Sequence, residues 1–228
     1  MRQCILHFLF KFTLVIVVIT IVAVLPLRWF NPMTTCFILS DDNVESVWIY
    51  QRWVALDNVA PMMQMAVIAS EDQKFPEHYG FDFDQLKKVL SQSGGPTRGA
   101  STITQQLVKN IYLWPGKGLF RKGVEAYLTL FLELLIPKER ILELYLNVIE
   151  FGSGVYGVKH ASDVFFQKIP SQLNRVEASL MAAVLPNPKQ LHINKPSSYV
   201  YDRALNIRFA IRNLGGVGYL GKLEPAKN

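Results

Sequence analysis

The chain has 228 residues, half of them hydrophobic, with a mean hydropathy of +0.17 and a formal net charge of +6. That length favours one main domain with an attachment, and the hydropathy is high for a freely soluble protein. The charge alone fits nucleic acid, anionic lipid or a phosphorylated substrate; the basic residues are dispersed and match no nucleic-acid signature, and a membrane-spanning segment would favour anionic lipid or a lipid-linked substrate.

From Phe12 to Leu27 the sequence FTLVIVVITIVAVLPL carries no charge. With Lys11 snorkelling its ammonium toward the headgroups, the apolar run reaches back toward Cys4, long enough to span a bilayer. Arg2 and Lys11 precede it, Arg28 follows it, and Asp41, Asp42 and Glu45 come soon after. This distribution predicts an N-terminus inside and a body outside. The residues after the core, LPLRWFNP, offer no small-x-small cleavage site, so residues 1–30 read as a cytoplasmic stub and uncleaved signal anchor. Trp29 and Phe30 then read as interfacial aromatics. Cys4 and Cys36 flank the run on opposite sides, and everything after Cys36 lacks cysteine, which excludes a disulfide within the body.

Residues 31–60 read as a linker and the start of the body, in which VWIYQRWVAL fits a short strand or a helix equally. The stretch 61–228 reads as the main domain and is mainly α. PMMQMAVIASED opens with Pro61 in a first-turn position and runs apolar to Glu71 and Asp72. FDFDQLKKVLSQ predicts an amphipathic helix from Asp82 or Asp84. SGGPTRG, residues 93–99, is a loop, and residues 91–100 are expected to be the most mobile part of the body. Thr102 and Gln105 have capping-box spacing at the head of the next helix. WPGKG at 114–118 interrupts, helices follow at 119–136 and 138–149 with Pro137 between them, and FGSGVYG at 151–157 is a glycine-rich turn. Helices near 158–167, 172–185 and 199–213 complete the chain.

Two adjacent acids end the apolar run at Glu71. Apolar surroundings hold a carboxyl toward its neutral form, the tuning used for general acid or base work, whereas an exposed helix end would need none. His78 reads first as a hydrogen-bonded structural histidine. In GASTITQQLVKN, Gln106, Lys109 and Asn110 share one helix face with Thr102. That face suits sugar hydroxyls or phosphate oxygens, and spacing alone leaves a well-capped, solvated face equally open. Arg121 and Glu125 are four apart, either a plain surface ion pair or a cation for a phosphate leaving group beside a second carboxylate. Trp114, Leu119 and Phe120, interleaved with Lys117, Arg121 and Lys122, fit a core cluster or a segment dipping into the lipid interface. KERILELYLNVIEFGSGVYG reads as a core helix with an apolar stripe closed by glycines.

Together these segments resemble the monofunctional biosynthetic peptidoglycan glycosyltransferases, glycosyltransferase family 51. The resemblance rests on EDQKFPEHYGFD, GASTITQQLVKN, RKGVEAYLTLFLE, KERILELYLNVIEFGSGVYGV and RVEASLMAAVLPNPK, in the family's order over about residues 60–190. It implies a lysozyme-like helical larger lobe, a smaller membrane-contacting lobe and a single-pass location in the bacterial inner membrane with the catalytic domain outside. The implied reaction is polymerisation of lipid II into glycan strands, inverting, with release of undecaprenyl diphosphate. By that likeness Glu71 is the general base, and Glu125 assists near the diphosphate, with a possible divalent ion, Mg or Mn. Lys109 and Arg121 match the diphosphate-contacting cations, while Asp72, His78, Thr102, Gln106 and Asn110 match supporting positions. Expected partners are lipid II, the nascent strand, membrane lipid and other cell-wall synthesis or division proteins. Ala100 departs from the second glycine that many members carry there. With the chain stopping at Asn228, peptide crosslinking is expected of other proteins. A lytic glycosidase of the same lineage is the competing enzyme, but it needs an acid and has no use for the paired cations or the anchor. An anchored lipid II-binding scaffold is the non-enzymatic alternative.

Overall fold

The computed structural model describes residues 2–91, 101–116 and 118–223. The loop expected at 93–99 lies outside them, as does all of the segment expected to be mobile except Ser91. Helix α1 (Arg2–Val24) continues through a 3-10 turn, Leu25–Arg28, that begins where Pro26 removes a backbone donor. Its apolar span, Ile5–Arg28, is 24 residues long with a mean hydropathy of 2.8. At 1.5 Å per residue, a helix of that length covers the ~30 Å hydrocarbon core of a bilayer. Most of its large side chains are exposed, while Thr20, Val24 and Leu27 are buried against the body.

Residues 31–60 wrap the body in short turns. Thr35 caps the four-residue α2 (Cys36–Leu39) by accepting from the Ile38 amide at 3.2 Å. VWIYQRWVAL forms neither a strand nor an α-helix: it holds a 3-10 turn at Ile49–Arg52 and then runs extended. The extended part is fixed by side chains of a later helix. Asn147 brackets Val54, donating to its carbonyl at 2.8 Å and accepting from its amide at 2.9 Å. Glu143 accepts from the Trp53 indole and the Leu56 amide.

Helix α3 (Pro61–Glu71) is buried almost all round, from Met63 to Ser70. It packs against α9 (Arg175–Val184) and α10 (Ser198–Asn213). On the other side, α5 (Ile103–Tyr112) packs on α6 (Leu119–Leu135) and α7 (Lys138–Val148), and α6 in turn packs on α1. Between them in the chain lies α4 (Phe83–Ser91). The two groups share one continuous apolar core. The expected turn at 151–157 is a small hairpin, β1 (Glu150–Gly152) antiparallel to β2 (Val155–Tyr156), and α8 (Val158–Phe166) follows it. Gly154 makes the turn at φ +73°, where an added Cβ would lie 2.2 Å from the Asn43 carbonyl oxygen.

Helix α6 lies alongside α1. Tyr127 hydrogen-bonds Thr20 at 3.1 Å, and one turn past Leu132, Leu135 accepts from Arg28 at 3.1 Å. Eight residues separate each pair of contacts on both strands of the chain, so α6 and the end of the span run side by side in the same direction. Tyr112 adds a third tie, donating to the Ala23 carbonyl at 2.9 Å. The exposed Leu119, Phe120, Leu130 and Leu134 belong to this anchor-side helix, which favours the lipid-interface reading of that segment.

Candidate active site

Glu71 is the last residue of α3, at the junction of the two helix groups. One carboxylate oxygen accepts from the Ser70 hydroxyl at 2.7 Å and from Arg203 Nη2 at 3.3 Å. The other accepts from Gln106 Nε2 at 3.0 Å. The setting is therefore not the apolar one suggested by the run before it; polar donors surround the carboxylate. Gln106 is itself oriented from behind, because the buried Tyr145 hydroxyl donates to its Oε1 at 2.8 Å. Burial, and then the Glu71 and Asp72 carboxylates, push the Tyr145 hydroxyl well above its ordinary range, so it remains a donor.

Asp72 turns the other way and is buried. Its Oδ2 accepts from the Ile103 amide at 3.1 Å, at the head of α5, and its Oδ1 meets His78 Nε2 at 2.8 Å. A carboxylate there satisfies a free helix-end donor and complements the positive end of the dipole. Asp72 and His78 thus fix α5 relative to Glu71. Thr102 closes the capping box with Gln105, and its hydroxyl also donates to the Gly80 carbonyl at 2.7 Å. Asn110 is buried and bonds back to the Gln106 carbonyl at 2.7 Å. Thus, of the polar residues sharing that face in sequence, Gln106 and Lys109 keep partial exposure while Thr102 and Asn110 brace the helix.

Glu125 is 2% exposed, far from the plain surface pair that spacing alone allowed. Arg121 Nη1 reaches one of its oxygens at 3.2 Å, and Lys122 contacts the other. The Lys109 ammonium has no ion pair among the described residues and lies 5.3 Å from the Phe37 ring centroid. Burial pushes its pKa below the ordinary value; Glu125 pulls it up, Arg121 and Lys122 push it down, and Glu71 pulls it up. These residues therefore form one electrostatic unit, with a carboxylate on donors at one side and a knot of three cations around a buried carboxylate at the other.

A divalent ion beside Glu125 does not fit this donor set. Both carboxylate oxygens are engaged by cations, and among the described residues no group of three His, Cys, Asp or Glu side chains could hold a metal.

Sequence reading missed Arg203, Ser70 and Tyr145 as members of the site. Tyr145 had read as part of a core stripe, and Arg203 gives no local signal, since it meets Glu71 only through the packing of α10 on α3. Lys122 did carry a signal in its i, i+3 spacing to Glu125.

A carboxylate on donors beside a cluster of cations, in a helical body joined to a membrane-length helix, is an arrangement that a glycosyl-transfer enzyme can use. The chain belongs to the transglycosylase family, whose model matches residues 42–210. It is similar to the biosynthetic peptidoglycan transglycosylase of Pseudomonas syringae pv. syringae, with 43% identity over 235 residues, covering 100% of this chain and 99% of that one. The protein of the same description from Stutzerimonas stutzeri is 42% identical over 222 residues, covering 94% and 92%. That from Bdellovibrio bacteriovorus is 48% identical over 184 residues, covering 77% and 73%. The family's domain is lysozyme-like, in agreement with the mainly helical body seen here, and the protein is a glycosyltransferase.

Proposed function

We propose that the protein polymerises lipid II into glycan strands, with residues 1–30 as its inner-membrane anchor and residues 61–228 as its catalytic domain on the outer side. The Arg2 and Lys11 charges before the span, and the acids after it, support that orientation. Glu71 takes the proton from the acceptor sugar's 4-hydroxyl. The freed oxygen attacks the donor's anomeric carbon from the face opposite the diphosphate, and the bond to the lipid diphosphate breaks with inversion. The leaving group departs with the electron pair and needs positive charge more than a proton. Lys109 and Arg121, with Lys122, supply that charge. Glu125 holds Arg121 and Lys122 in place, and Asp72, His78, Thr102 and Asn110 position α5 so that Gln106 and Lys109 face the substrate.

The observation that carries this reading is the hydrogen-bonding of Glu71. Its carboxylate receives Ser70, Gln106 and Arg203, which arranges it to accept a proton, whereas a lytic glycosidase needs its carboxyl as a donor to a poor leaving group. The test is glycan formation from purified lipid II by wild type and Glu71→Gln. The variant should fold normally and lose at least about 100-fold in rate, the range for a general base. Near wild-type polymerisation by Glu71→Gln defeats the assignment, and release of muropeptides from purified sacculi by the wild type favours lysis instead.

A further inference from the structure

At the outer end of the span lies a cavity of about 430 Å³ that the chemistry above does not use. Arg28 closes the anchor on one wall, Glu133 and Lys138 come from the α6–α7 junction, Glu77 and His78 from the turn after α3, and Lys222 from the last described turn. Lys138 pairs with Glu133 at 2.8 Å and Lys222 with Glu77 at 2.9 Å, so these charges cancel and Arg28 is left in excess. Among the described residues Arg28 donates only Nη1, to the Leu135 carbonyl, out of the five N–H groups of a guanidinium.

Depth and shape select the ligand. Arg28 ends the apolar span and therefore stands at headgroup level, and the exposed Leu134 forms an apolar lip beside the cavity. We propose that this cavity binds the phosphate of an anionic phospholipid headgroup, with Arg28 and Lys222 directed at its oxygens and Leu134 against an acyl chain. The surplus cation selects the anion, and the lip distinguishes a lipid from free phosphate. The proposal rests on α1 as a membrane span and is independent of the role of Glu71.

The test uses the full chain in nanodiscs of phosphatidylcholine with a minor fraction of phosphatidylglycerol, followed by native mass spectrometry of the lipid it retains. Wild type and Glu71→Gln should both retain phosphatidylglycerol preferentially. Arg28→Gln and Lys222→Gln should each lower that retention about tenfold, the effect of one lost charge-assisted contact. Lys159→Gln, an equal charge change on the exposed face of α8, should leave it unaltered. Equal retention in the Arg28 and Lys222 variants, or the same loss in Lys159→Gln, overturns the site. Inorganic phosphate at fixed ionic strength should displace the lipid weakly. Tight phosphate binding in pure phosphatidylcholine discs, without preference for the anionic lipid, overturns the lipid assignment.

Discussion

The Tyr145 hydroxyl, donating to Gln106 Oε1 at 2.8 Å, decides which end of that amide faces Glu71. With the oxygen held from behind, only the NH2 group can point at the carboxylate. Tyr145→Phe frees the amide to turn over and place its oxygen against Glu71. The expected loss is about tenfold in kcat with little change in KM, for a stability change of about 1 kcal/mol. In a double-mutant cycle with Gln106→Ala the two effects should be clearly non-additive in lipid II polymerisation; simple additivity would separate the two residues.

Lys109 predicts a pH effect. Burial pushes its pKa below the ordinary value, so its ammonium loses its proton at lower pH than that of an exposed lysine. Leaving-group stabilisation needs the charged form. The rate should therefore fall on the alkaline side as Lys109 deprotonates, and Lys109→Arg, whose charge persists, should move that limb to higher pH. A limb that stays put in Lys109→Arg, measured with the same substrate, removes Lys109 from the titration.

Asp41 ties the start of the body to its far end. Burial works to raise its pKa, but hydrogen bonds from Lys189, Tyr156 and Asn43 outweigh that and hold the carboxyl well below the usual range. A depressed folded pKa means the stabilisation is full above the unfolded value near 3.8 and is lost as pH falls from there through the folded value. Asp41→Asn should be less stable at neutral pH by on the order of 2 kcal/mol, with the gap closing in acid. Denaturant midpoints across pH check this, and a gap that persists in acid assigns the effect to packing.

Gly154 touches the same region. A Cβ there would sit 2.2 Å from the Asn43 carbonyl at a backbone angle that disfavours side chains, so Gly154→Ala should lose about 2–4 kcal/mol. An unchanged denaturation midpoint would mean that the 41–43 turn can retreat freely.

Local chemistry was readable in the sequence. The capping box of Thr102 and Gln105, the start of α3 at Pro61 and the break at Pro137 all follow from side chains acting within a few residues. The helix expected at 172–185 begins later, at Arg175, because Asn174 caps it and a 3-10 turn occupies 170–172. Residues 47–56 were ambiguous for a physical reason: their conformation is imposed by Asn147 and Glu143, about ninety positions away. Arg203 reaching Glu71 is the same case, since no periodicity encodes a contact between side chains of two packed helices far apart in sequence. The long apolar helix was plain from hydropathy alone, but its hydrogen bonds to α6 and Tyr112 were not.

Those bonds change what the anchor is. Thr20 to Tyr127, Ala23 to Tyr112 and Arg28 to Leu135 make the end of the span a strut built into the wall of the body instead of a leash. A leash lets its cargo sample many heights; a strut sets one. The distance from Glu71 to the end of the apolar span is thereby a fixed dimension of the molecule, set once, by folding.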